Sequence, residues 1–230
     1  MKSPVDIVKG MIVDYDPRTQ KLKIEATYPE WPIMIRRGYT ECEVRLIDSR
    51  RISEKQRNAV YALLKEISKY TGQGLSPTKE AMKRKYLDED LCETGIENFS
   101  LSDAPVSLAC GFQRYLVRFM LDYDIPCSFP LLDFVDDIDD YLYACLATKK
   151  CCVCGRHADL HHVDHVGMGR DREEIIHEGM EALPLCRGHH TIAHSAGKKT
   201  FQKKYHIPHG IILDKHLCEI YGLKAKKEEA

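Results

Sequence analysis

Apolar and polar side chains alternate along the first fifty residues, and the period of the pattern then changes. Asp6–Tyr15, Lys21–Ala26 and Cys42–Ile47 read as strands, because apolar or β-branched residues recur every second position. Asp16-Pro17 and the stretch Pro29–Pro32 separate them as turns. Trp31, the one tryptophan, sits in the second turn and is expected to plug a core rather than to stack on a base. From Ser53 the spacing becomes helical. Val60, Leu63, Leu64 and Ile67 form one stripe, Ser53 and Gln56 form a capping box, and Gly72 stops the helix. A short helix is expected from Pro77, including Met82-Lys83-Arg84-Lys85. A longer one is expected over Asp103–Tyr123, capped by Ser102, with Val106, Ala109, Phe112, Leu116, Phe119 and Met120 on its apolar side.

The remaining elements follow the same logic. Asp133–Ala147 reads as a helix, and Asp133, Asp136, Asp137, Asp139 and Asp140 are then charges favoured at its N-terminus rather than a metal cluster. Ala158–Val163 alternates as a strand, and a helix carrying His190 and His194 ends at Gly197. Lys198–Tyr205 reads as a basic helix, Asp214–Tyr221 as a small final helix, and KAKKEEA as a frayed tail. The fold class is α+β: a small N-terminal antiparallel sheet with helices, over residues 1–147, followed by a second domain over residues 148–230. Lys149-Lys150 leaves almost no linker, so the two are expected to pack together.

Composition narrows the class without deciding it. The chain has 230 residues, 43% of them hydrophobic and 30% charged, as in an ordinary soluble globular protein. No apolar run approaches the roughly 20 residues that span a bilayer, and charges interrupt the N-terminus where a signal peptide needs an apolar stretch. Cys42, Cys92, Cys110, Cys127 and Cys145 are scattered singly, which suits a reducing cytoplasm better than a disulfide scaffold. The net charge of −1 conceals +4 over residues 1–72, −8 over 73–147 and +3 over 148–230. Basic ends suit phosphate contacts, although charges this small are common on any solvated surface.

Chemistry concentrates after residue 150. All eleven histidines lie at or beyond His157. Cys151-x-x-Cys154 and Cys186-x-x-His189 are two half-sites of the kind that close a tetrahedral zinc, with Cys152 able to replace Cys151 in register. His190 and His194 are spaced i, i+4 and share one helix face, about 6 Å apart at Cβ. His161-His162 ends the strand, where neighbours point in opposite directions, so one of the two can join a metal site while the other serves as a general base. Four cations, Arg50, Arg51, Lys55 and Arg57, surround the N-terminus of the helix after Ser53, a reasonable phosphate site. Lys198, Lys199, Lys203 and Lys204 give the basic helix a face for a phosphate backbone.

The segment Cys151–His194 resembles the HNH (ββα-metal) endonucleases: a cysteine knuckle, a strand ending in His-His, a loop, and Leu-Pro-Leu-Cys-x-x-His-His entering a helix. The resemblance implies a zinc-stabilised ββα-metal domain over residues 148–230. In it, Cys151, Cys154, Cys186 and His189 hold a structural zinc, His161, His190 and His194 hold a catalytic divalent metal, and His162 is the general base. The string GMGRDR and the tail HHTIAHSAGKKTFQKKYHI resemble a phage-encoded subgroup. The family's asparagine, expected near Glu181, is absent. RRISEKQRNAVYALLKEISKYTG, within about residues 45–125, resembles the Orf/NinB recombination proteins of lambdoid phages. That implies a DNA-binding α+β domain over 1–147, dimer formation and action beside single-strand-binding protein.

Together these readings predict a metal-dependent DNA endonuclease of phage recombination or replication, working in the host cytoplasm. Three imidazoles favour zinc, nickel or manganese by ligand softness, while the resembled family also works with magnesium. The rival expectation is a recombination mediator that binds DNA through its zinc domain without cutting it.

Overall fold

Residues 8–42, 44, 46, 48–163 and 175–226 are described here from a computed structural model. The chain divides into two compact units, residues 1–47 and 48–230. In the first, β1 (Gly10–Asp16) and β2 (Lys21–Ala26) form an antiparallel hairpin with an irregularity between Ile12 and Asp14. α1 (Trp31–Arg37) follows. The Pro-flanked stretch was expected to be a turn, but Pro32 stands in the first turn of α1, where its fixed φ starts a helix. Trp31 is consequently no core plug, being 57% exposed. The predicted strand Cys42–Ile47 falls partly outside the described residues, and positions 42, 44 and 46 lie in no strand.

The second unit is built around α2 (Glu54–Thr71), where the expected capping box of Ser53 and Gln56 forms and Gly72 ends the helix at a φ of 70°. Its stripe of Val60, Leu63, Leu64 and Ile67 is fully buried, each side chain contributing about 1.5–3 kcal/mol relative to exposure. α3 (Leu75–Glu89) begins two residues before the expected Pro77. α4 (Val106–Asp122) begins after Pro105 rather than at Ser102. Ala104 precedes a proline and is biased away from helix. Its carbonyl accepts from Ile52 N–H at 3.0 Å, and Val106 N–H donates to the Arg50 carbonyl at 3.0 Å. An extended pairing with residues 50–52 therefore occupies the chain that the helix was expected to use.

Asp133–Ala147 likewise splits. A 3₁₀ turn covers Leu131–Phe134, and α5 (Ile138–Ala147) starts at Asp137, whose carboxylate accepts from the backbone of Asp139 and Asp140. β3 (Asp159–His162), β4 (Glu181–Leu185) and β5 (Ile211–Ile212) form an antiparallel sheet with β4 in the middle. α6 (Arg187–Ala196), α7 (Lys198–Tyr205) and α8 (Lys215–Tyr221) complete the unit. One core runs from Val60 on α2 through Phe112 and Leu116 on α4 and Leu142 on α5 to Cys151, Leu183, Phe201 and Ile207. It continues across residues 147 and 148 without a break. Among the described residues, no helix is long and apolar enough to cross a membrane.

Candidate active site

Two tight turns bring the cysteines together. In the first, Gly155 N–H donates to the Cys151 carbonyl at 2.8 Å and Cys151 N–H to the Arg156 carbonyl at 2.7 Å. Gly155 has a φ of 69°, which glycine adopts without strain. In the second, β4 ends at Leu185 and Cys186 caps α6, so His189 falls in the helix's first turn. One ligand atom from each of Cys151, Cys154, Cys186 and His189 lies within 4.8 Å of the others. The Cys154 and Cys186 sulfurs are 3.7 Å apart, and His189 Nδ1 is 3.4 Å from the Cys151 sulfur and 3.3 Å from that of Cys186. A tetrahedral zinc with Zn–S bonds of about 2.3 Å has sulfur–sulfur edges of roughly 3.8 Å. The donor set and its spacing fit such an ion.

The structure also separates the adjacent cysteines. Cys152 is fully buried, its N–H donates to the Pro184 carbonyl at 3.1 Å, and its carbonyl accepts from the Tyr141 hydroxyl at 3.0 Å. It faces the core, and Cys151 faces the cluster. Burial pushes the Cys151 thiol up to about 12. Burial also raises Cys154, but hydrogen bonds led by the Arg156 guanidinium outweigh it and leave that thiol below its usual range. Arg156 reaches both the Cys154 sulfur, at 3.4 Å, and the Cys186 sulfur, at 3.6 Å. A cation against sulfur stabilises the thiolate form that a metal needs.

The second cluster stands on the sheet and on α6. β3 pairs with β4 through His161↔Leu183 and His162↔Ala182. α6 places His190 and His194 one turn apart, and His161 completes the set. One ring nitrogen from each lies within 4.8 Å of the others, and the ring centroids are 4.7, 4.8 and 4.9 Å apart. Burial, then the neighbouring imidazoles, lowers His161 to about 4, and burial with His194 lowers His190. Low basicity keeps lone pairs available to a cation. Three imidazole nitrogens on one partly exposed face fit a divalent metal with open positions.

His162 is half-buried, and its Nε2 lies 2.9 Å from Nδ1 of His177. Burial, then His177, lowers its pKa below the usual imidazole value. Sequence reasoning gave His177 no role. It lies fifteen residues from His162 with no periodic pattern between them, and the string GMGRDR in that interval lies outside the described residues. The position where the asparagine was expected is occupied by Glu181. Its carboxylate accepts from Gly210 N–H at 2.6 Å and pairs with Lys198 at 2.9 Å, while its carbonyl accepts from Val163 N–H at 2.9 Å.

The candidate DNA-contacting cations are distributed unevenly. Lys198 is engaged by Glu181, while Lys199, Lys203 and Lys204 are exposed on α7. Arg50 pairs with Asp48 at 2.9 Å, and Arg51 donates to the Asp103 carbonyl at 2.6 Å. Lys55 is exposed. Arg57 lines an open cleft of about 640 Å³ with Lys79, Lys83, Phe99 and Ser100.

Against known protein families, residues 24–224 match the family described as "Putative HNHc nuclease". No curated protein and no solved structure match the chain.

Proposed function

The chain belongs to the HNH nuclease family, and from that premise we propose that it is a metal-dependent DNA endonuclease hydrolysing phosphodiester bonds. The observation that carries this reading is the pairing of a Cys₃His set with a separate set of three imidazoles on a β-β-α frame. Cys151, Cys154, Cys186 and His189 would hold a zinc that ties the two turns together. His161, His190 and His194 would hold the working divalent ion, magnesium, manganese, nickel or zinc. Such an ion supplies positive charge to the scissile phosphate and the departing oxygen.

His162 is the general base. It takes a proton from water, the water oxygen bonds to phosphorus, and the bond to the departing sugar oxygen breaks with its electron pair on that oxygen. Burial, then His177, disfavours the protonated form of His162 and so favours the form that can accept a proton. Lys199, Lys203 and Lys204, with Arg51, Lys55 and Arg57, supply cations for the DNA backbone, and contributions from Lys198 and Arg50 require them to leave Glu181 and Asp48. The proposed setting, which rests on the sequence resemblances, is phage DNA recombination or replication beside single-strand-binding protein, with the chain as a homodimer and residues 1–147 as the DNA-binding part.

The test is cleavage of supercoiled, single-stranded and branched DNA with each metal, using wild type and His162→Ala. Metal-dependent cutting that His162→Ala lowers by about 10²–10⁴-fold, with zinc content unchanged, supports the reading. Salt-sensitive DNA binding without cutting on any substrate would replace it with the non-cleaving mediator.

A further inference from the structure

His162 has a partner that the chemistry above does not use. A neutral imidazole carries one N–H and one lone pair on its two ring nitrogens. With Nε2 of His162 only 2.9 Å from Nδ1 of His177, one of these nitrogens donates and the other accepts. If His177 donated, a neutral His162 would carry its hydrogen on Nδ1 and have no lone pair left for water. If His162 donates from Nε2, its Nδ1 lone pair is free. Only the second arrangement is compatible with a base.

His177 is itself held from several sides. Its N–H donates to the Lys224 carbonyl at 2.8 Å, and its carbonyl accepts from Met180 N–H at 3.0 Å. Gly179 N–H donates to the Leu213 carbonyl and Leu213 N–H to the Met180 carbonyl, at 2.8 and 2.9 Å. Lys226 N–H donates to the Glu178 carboxylate at 2.7 Å. The start of the segment expected to fray, Lys224–Lys226, is thus a strap across the His177 turn. On the other side, the pairing of His162 with Ala182 fixes the strand that carries the base.

We propose that His177 is a positioning residue: its Nδ1 accepts a hydrogen bond from Nε2 of His162, which fixes the tautomer and ring orientation that leave Nδ1 of His162 as the proton acceptor. This rests on the reading of His162 as general base. The partner of a ring nitrogen decides which nitrogen is protonated, and losing such an orienting partner at metal sites costs about 10–100-fold in function.

The test compares wild type, His177→Ala, His177→Asn and His177→Gln in steady-state plasmid cleavage. It also records imidazole ¹⁵N spectra of each protein carrying its structural zinc, without added magnesium, manganese, nickel or further zinc. His177→Ala is expected to lower kcat about 10–100-fold with KM within about twofold, and to leave His162 as a mixture of tautomers. An asparagine carbonyl oxygen stands near where Nδ1 stood, so His177→Asn should restore most of kcat and the Nε2–H tautomer. Glutamine, one methylene longer, should not. Unchanged kcat and an unchanged tautomer in His177→Ala would overturn the proposal. If wild type itself does not cut, the nuclease reading fails, and the spectra still decide whether His177 fixes His162.

Discussion

The Cys₃His cluster and the three-histidine cluster use neighbouring residues of α6 and are built to opposite plans. His189 joins a four-donor set in which Cys151 and Cys186 are buried and Arg156 lies against two of the sulfurs. His190, one residue later, joins a three-nitrogen set whose members are half-buried or exposed. A closed tetrahedral set leaves no position for water or substrate, whereas three ligands on an open face leave room for both. The helix turn makes the division, because successive residues point about 100° apart. One short helix can therefore face a structural ion with one histidine and a working ion with the next.

The largest effect should come from breaking the closed cluster. Cys186→Ser is expected to lose bound zinc and unfold the region cooperatively. Structural zinc is worth about 10–16 kcal/mol in small zinc domains, comparable with the whole stability of a domain, about 5–15 kcal/mol. Metal analysis with thermal unfolding measures both. Breaking the open cluster should do something different. His190→Ala is expected to keep its zinc and its melting temperature within a few degrees while cleavage falls by about 10²–10³-fold, the equivalent of several kcal/mol of transition-state charge stabilisation.

A third substitution perturbs the frame behind the open site. A Cβ on Gly210 would meet the Ala182 carbonyl oxygen at 2.6 Å and Val163 Cγ2 at 2.9 Å. Gly210→Ala must therefore shift β4 or the residues beside His162. The expected cost is about 1–3 kcal/mol, read by denaturant unfolding, with reduced cleavage and unchanged zinc. The smallest effect is a control away from both clusters. Ser53→Ala removes the cap of α2 and should cost about 1 kcal/mol, with zinc content unchanged.

What could be read from the sequence was local. The capping box and Gly72 mark α2 because caps and stripes are set within a few residues. The spacings around Cys151, Cys186 and His190 pointed to the two clusters because each half-site is a single turn. What escaped depends on distant pairing. Ser102 was a plausible cap until Arg50–Ile52 paired with the chain around Pro105. Asp133 was a plausible helix start, but the side chain that caps α5 is Asp137. His177 carried no local signal, since its neighbour is chosen by the β3–β4 hairpin and by a strap from residues 224–226. Glu181 looked like a missing asparagine, yet it ties Gly210, Lys198 and Val163 together at the strand that faces β3.

The proposed division is structure at the closed cluster and cleavage at the open one. It is tested most directly by following zinc content, helicity and plasmid cleavage in one sample as a chelator is titrated. Cleavage should disappear first, with about one zinc and full helicity retained, and return when manganese or magnesium is added. Loss of cleavage only in step with the last zinc and the fold, or cleavage that survives removal of every weakly held ion, would contradict it.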